Sequence, residues 1–120
     1  LTIDGKTYEV ERGERLVLAI ERSGVAIGHR CGGLGECTTC RVQFHAGEPN
    51  VMTQAEFDVL ASERQPDGVR LACQIEIMED MELSVLETVA RHPEWHGDPG
   101  PEPEEIVMPE AVWYPLEDVK

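Results

Sequence analysis

Along the first ninety residues the apolar positions fall into short groups whose spacing changes from segment to segment. Leu1–Ile3 and Thr7–Val10 read as β-type runs. The Asp4-Gly5-Lys6 step between them favours a tight turn with positive φ, so the two runs predict a hairpin. Glu14–Ser23 holds good helix formers with Leu16, Ala19 and Ile20 on one face, and Gly24 stands where a helix would stop. Gly28–Cys40 has four glycines and no regular period, which predicts a loop. Arg41–His45 alternates Val42 and Phe44 with polar residues, a strand pattern ending at Ala46-Gly47. Thr53-Gln54-Ala55-Glu56 has the form of a capping box, and Phe57, Leu60 and Ala61 follow it on a helical face. Pro66-Asp67-Gly68 closes that helix. Two further strands are expected at Cys73–Ile77 and Met81–Leu86, joined by the acidic turn Met78-Glu79-Asp80. The order strand, strand, helix, loop, strand, helix, strand, strand predicts an α+β fold with a small mixed sheet packed on a helix.

Composition changes along the chain. Residues 1–90 carry 8 Lys+Arg and 16 Asp+Glu, a net of −8, while residues 91–120 carry 2 and 8, a net of −6. Six of the eight prolines (Pro93, Pro99, Pro101, Pro103, Pro109, Pro115) lie in this last quarter. Proline fixes φ and removes a donor, so neither a continuous helix nor a central strand fits there. The expected organisation is a globular body over 1–90 and an acidic, Pro-rich C-terminal extension over 91–120. Acid and proline favour disorder, yet Trp95, Trp113, Tyr114, Ile106-Val107-Met108 and Ala111-Val112-Trp113 are more apolar than a solvated tail requires. The leading expectation is a strap laid across the body; a partner-docking arm and a loose tail are the rivals.

The whole chain of 120 residues has a formal charge of −14, with 41% hydrophobic but only 5% aromatic residues. A chain of this length forms one domain with an aliphatic core. So acidic a surface repels phosphate backbones and anionic lipid headgroups, which disfavours nucleic-acid and membrane-surface binding and suits partners with a basic face. The longest compact apolar stretch is Leu16 to Ile20, too short to span a bilayer. The first thirty residues lack a signal-peptide profile, so a cytoplasmic location is expected.

The candidate chemistry lies in four cysteines, Cys31, Cys37, Cys40 and Cys73. Three are spaced C-x5-C-x2-C, and the fourth follows after a long interval. A disulfide framework is disfavoured without a secretory signal. A structural zinc site usually draws two close Cys pairs, and Cys73 has no neighbouring Cys or His. A redox dithiol at Cys37–Cys40 would normally open a helix, whereas Cys40 leads into a strand. An iron–sulfur centre takes four thiolates. Its bridging sulfides accept backbone N–H bonds, and a loop wrapping them needs residues without Cβ. Gly32, Gly33 and Gly35 meet that need as backbone donors, with Thr38 and Thr39 as small hydroxyl donors. His29 could tune such a centre, but a partly exposed loop histidine is the plainer reading; none of the four histidines supports a Rieske ligand set.

The segments Cys31-Gly32-Gly33-Leu34-Gly35-Glu36-Cys37-Thr38-Thr39-Cys40, Arg41-Val42-Gln43-Phe44 and Arg70-Leu71-Ala72-Cys73-Gln74-Ile75 resemble the small [2Fe–2S] ferredoxins of β-grasp fold. The resemblance covers most of residues 1–90. The first cysteine gap is one residue longer than the plant-type C-x4-C-x2-C, as in adrenodoxin-type and bacterial ferredoxins that serve monooxygenases or cluster assembly. It implies a [2Fe–2S] cluster held by Cys31, Cys37, Cys40 and Cys73.

The function expected from this is one-electron carriage between a ferredoxin reductase and an acceptor redox enzyme. Such a protein is not itself an enzyme, and a monomer is expected. No catalytic Ser/base pair, phosphate-binding Gly-Lys-Thr or dinucleotide fingerprint accompanies the cysteines. A role in iron–sulfur assembly or redox sensing is the alternative, and a zinc-stabilised interaction domain is a third. Glu56, Asp58, Glu63 and Asp67 on or beside the second helix, with Glu79 and Asp80, are candidates for docking a basic patch on partners. An ordinary solvated helix face explains the same acids without any partner.

Overall fold

The computed structural model describes residues 1–29, 39–63, 68–95, 100, 103–105, 107 and 112–115, with the side chains of Ser62 and Glu63 excepted. The hairpin forms as expected: β1 (Thr2–Ile3) and β2 (Lys6–Thr7) pair antiparallel. The turn between them uses positive φ at both Asp4 (49°) and Gly5 (87°), the twist that matches flanking strands.

Helix α1 (Leu16–Arg22) buries five consecutive residues, Leu16 to Ile20. A helix so apolar all round belongs inside, and it packs in one core with Ile3, Val42, Leu71, Ile75, Leu83 and Val85. Its N-cap position is Arg15, which makes no side-chain cap. The guanidinium is committed elsewhere, to the candidate site.

Strand β3 (Arg41–Ala46) alternates as its sequence requires, with Val42 and Phe44 buried. It lies between β5 (Val69–Leu71) and β6 (Glu82–Val85), antiparallel to both, and β6 runs parallel to β1. The sheet order is β2-β1-β6-β3-β5, a mixed sheet with α1 packed against it, which is the β-grasp arrangement.

The strand expected at Cys73–Ile77 is displaced. The ladder occupies Val69–Leu71, and the chain then tightens into a 3-10 turn at Ala72–Gln74. The Cys73 carbonyl is taken by the Arg15 side chain and is not left for a ladder. Ile75 and Ile77 instead pair with the segment before α1, through Leu16 N to Ile75 O (2.9 Å) and Ile77 N to Glu14 O (2.9 Å).

A second, two-stranded sheet joins β4 (Val51–Thr53) to β7 (Trp113–Pro115), antiparallel. The hydrophobic pattern predicts neither strand. Helix α2 (Gln54–Glu63) follows β4 directly. Its first N–H, at Gln54, donates to Val112 O (3.0 Å), so the extension caps it. Earlier in the extension, Arg15 donates to Glu104 O (2.8 Å), Arg22 pairs with Glu105, and Val107 is buried. Among the described residues no helix is long and apolar enough to cross a membrane.

Candidate metal centre

Pairing of β3 with β5 aligns Arg41 with Leu71, and Ala72 N continues the ladder by donating to Cys40 O (3.0 Å). Two cysteines far apart in sequence are thereby tied to adjacent backbone. Both are fully buried, and neither forms a disulfide. Cys31, Cys37, Gly32, Gly33, Gly35 and Thr38 lie outside the described residues.

Three polar devices hold the Cys73 side of this arrangement. The Arg15 Nε donates to Cys73 O (2.8 Å) from the start of α1, and the residue is 1% exposed. The Gln74 Nε2 donates to Cys73 Sγ (3.7 Å). Gln74 is oriented by Thr53, whose hydroxyl donates to Gln74 Oε1 (2.8 Å) while accepting from Glu56 N (3.1 Å). With its oxygen so engaged, the Gln74 amide turns its N–H toward the sulfur.

The third device is a buried ion pair. Arg70 gives Nε and Nη2 to the two carboxylate oxygens of Glu56 (2.7 and 2.8 Å), and Nη1 and Nη2 to Pro49 O (3.0 Å) and Val51 O (2.8 Å). Glu56 also accepts from Leu71 N (2.8 Å), two residues before Cys73. Burial pushes the Glu56 carboxyl above its ordinary range, against those donors, which favour the anion. Burial likewise opposes charge on Arg70, but Glu56 and Glu48 outweigh it and hold the guanidinium above its usual value. The bidentate geometry to a group that does not give up its proton keeps the pair charged.

This corrects one expectation. Glu56 is fully buried, so it presents no charge to a partner. The capping box is half formed: Thr53 caps the helix, but Glu56 turns inward to Arg70. Of the other docking candidates, Asp58, Glu79 and Asp80 are exposed, while Asp67 and the Glu63 side chain lie outside the described residues.

His29 is also not the partly exposed residue expected: it is 1% exposed, with Nε2 facing Glu21 (3.1 Å) and Nδ1 without a partner among the described residues. On the Cys40 side, Arg41 pairs with Glu87, which in turn pairs with His92. His92 stacks on Trp95 (4.1 Å between centroids, 10° between planes). Trp95 covers Gly28 so closely that a Cβ there would lie 2.6 Å from the indole and 2.7 Å from Thr39 O, so only glycine fits.

Sequence reasoning missed Arg15, Thr53 as an orienting group, and Arg70. The one available signal was that Arg70 and Gln74 flank Cys73 in the motif that carried the resemblance.

Buried thiols on a 3-10 turn and a strand start, with an amide N–H aimed at one sulfur, suit thiolate ligation of soft metal and sulfide. Together with the mixed sheet and its packed helix, they define a β-grasp domain of the iron–sulfur class. The family comparison agrees: residues 1–78 match the 2Fe-2S iron-sulfur cluster binding domain, and the chain belongs to that family. The chain therefore carries a [2Fe–2S] cluster-binding domain of the ferredoxin type.

Among relatives, a component of the Na(+)-translocating NADH-quinone reductase of Pseudoalteromonas atlantica is 31% identical over 90 residues, covering 75% of this chain and 22% of the relative. The corresponding component in Chlamydia pneumoniae is 34% identical over 94 residues, covering 76% and 21%. The chain thus spans about a fifth of the length of these relatives. Among solved structures, an Amycolatopsis cytochrome P450 reductase matches with a TM-score of 0.57 and 30% identity, over 71% of this chain and 25% of that one. An ISC-like [2Fe-2S] ferredoxin of Pseudomonas putida matches the fold with a TM-score of 0.58 at 24% identity, over 69% and 80%. A chain of the covalent putidaredoxin reductase–putidaredoxin complex matches with a TM-score of 0.50 and 27% identity, over 68% and 89%.

Proposed function

We propose that Cys31, Cys37, Cys40 and Cys73 are the ligands of the [2Fe–2S] cluster, and that the protein carries single electrons in the cytoplasm from a reductase to an acceptor enzyme. When bound, such a cluster exchanges one electron at low potential and, with four thiolates, offers no open position to a substrate. A carrier rather than an enzyme follows from that. The observation that carries the reading is the convergence of buried Cys40 and Cys73 through the β3–β5 ladder.

This chain's own residues serve that task in definite ways. Burial of both thiols keeps water from their sulfurs. Arg15 holds the Cys73 carbonyl, so the 3-10 turn presents its sulfur in one orientation. Gln74 directs a positive N–H dipole at that sulfur and favours added negative charge there. Gly32, Gly33 and Gly35 are proposed to supply backbone N–H donors.

A reductase as donor is supported by the relatives: the matching proteins are parts of an NADH-quinone reductase, and putidaredoxin is joined to its reductase. The net charge of −14 favours fast, steered encounters with basic surfaces. Exposed Asp58, Glu79 and Asp80, with Glu63 and Asp67, are the proposed docking acids.

The test is electron paramagnetic resonance of the purified protein before and after dithionite. A signal that appears on reduction and integrates to a single unpaired electron per chain is expected. A colourless protein, one holding only zinc, or one whose thiols pair as disulfides would end the reading.

A further inference from the structure

The ribbon of β4 and β7 and the segment 75–81 enclose a cavity of about 240 Å³, walled by Val51, Ile75, Met78, Met81 and Trp113. Glu76 and Glu79 also line it. Two of the apolar walls are open to solvent, Met78 at 53% and Val51 at 37%. Contiguous exposed hydrophobes ringed by polar groups mark interaction sites, since an isolated soluble surface seldom keeps them together.

Two of the walls, Met81 and Trp113, come from outside the family match. The family match ends at residue 78, whereas Trp113 comes from the extension and is placed by the β4–β7 pairing. The cavity is therefore built in part by residues beyond the family match.

We propose that this cavity anchors a partner protein whose surface presents one large aliphatic or aromatic side chain flanked by Lys or Arg. The cavity has room for one such side chain, and exposed Glu76, Glu79 and Asp80 meet the flanking cations. The sign of the charge decides among occupants. A second copy of this chain brings another −14, so self-association through the patch is opposed, and anionic lipid is repelled in the same way. The anchoring cavity stands apart from the electron-carrier reading, although Glu79 and Asp80 are also among the acids proposed above to dock a redox partner.

The experiment is an amide NMR titration of the full-length holoprotein with a synthetic peptide carrying one Phe between pairs of lysines. A second peptide with Ala in place of Phe is the control. The expected result is saturable shifts at Val51, Met78, Glu79 and Trp113, with binding about tenfold weaker for the Ala peptide and weakened again by added salt. Trp113→Ala should abolish the Phe preference. Because that change could loosen the ribbon, Met78→Asp and Glu79→Lys, at exposed positions, provide a second pair that should weaken binding without unfolding. Equal affinity for both peptides, shifts confined to α2, or no saturable shift at millimolar peptide overturns the proposal. So does concentration-dependent shifting of the same residues without peptide, which would assign the patch to a second copy.

Discussion

The Gln74 side chain offers the sharpest test of how the protein sets its redox behaviour. Its Nε2 donates to Cys73 Sγ at 3.7 Å, and its Oε1 is occupied by the Thr53 hydroxyl at 2.8 Å. A donor aimed at a ligand sulfur stabilises the reduced form more than the oxidised one, because the reduced form carries the extra negative charge. Taking about 1 kcal/mol for that difference, as for a single hydrogen bond, gives roughly 40 mV for a one-electron couple. Gln74→Leu should therefore lower the reduction potential by about that much. Gln74→Glu should lower it further, since an acceptor with negative charge then faces the sulfur. Both variants also disturb Thr53, so some thermal stability is lost, by about 1 kcal/mol for the Leu variant. Mediated spectroelectrochemical titration separates the two effects. A purely structural residue would move the melting temperature and leave the midpoint where it was. If Gln74→Leu kept the native potential, or if Gln74→Glu raised it, the assignment of that N–H to the sulfur would be refuted.

Other perturbations test the rest of the architecture. Glu56→Ala leaves the Arg70 charge buried without its bidentate partner, and should cost about 3–5 kcal/mol in chemical denaturation. It should not change the salt dependence of electron transfer, because Glu56 is buried; Asp58, Glu79 and Asp80 changed to Asn or Gln should flatten that dependence in stopped-flow measurements with a basic reductase. The His92 ring is raised above its ordinary value by Glu94 and then Glu87, so its contribution is full below about pH 6.5 and fades as pH rises through the raised value. Burial pushes Glu87 up, but His92 and Arg41 more than offset it, and its net lowered value means a contribution present above about pH 4.3 and lost as pH falls. The Trp95 indole NMR signal should then hold steady between those limits and move at higher pH, and His92→Gln should remove the high-pH movement. Truncation after Ala90 removes the β7 pairing, the Val112 cap on α2 and the Glu104 acceptor of Arg15, and should lower stability by about 2 kcal/mol; an unchanged melting temperature would sink the strap.

What pattern could reveal here follows from the range of each interaction. The hairpin at Asp4-Gly5, the α1 face and β3 are local: turn chemistry, a buried run and alternation lie within a few residues, and each appears where the spacing puts it. The cluster type was legible for the same reason, since closely spaced thiols with glycine between them are a local pattern, and the family match bears out a [2Fe–2S] group. Strand β4 and the extension were not. Val51–Thr53 is too short to show a period, and Trp113–Pro115 reads as part of an acid and proline-rich tail until the two are seen to pair. Glu56 shows the limit most clearly. In sequence it is a charged residue at the start of an amphipathic helix, and only Arg70, 14 residues on, reveals that it faces inward.

The devices around Cys73 extend that argument to the site itself. Arg15 reaches the Cys73 carbonyl across 58 residues, Thr53 orients Gln74 across 21, and Glu56 accepts the Leu71 N–H across 15. Ligand identity requires only four sulfurs at workable spacing, whereas ligand orientation requires contacts that close in three dimensions. Each device also begins on a different element, α1, β4 and α2, so that strain on any of these is felt at the 3-10 turn. Substitutions far from the cysteines in sequence, at Arg15 or Thr53 above all, should therefore change redox properties before they change the fold. A neighbouring position without such a link, such as exposed Glu82, should do neither.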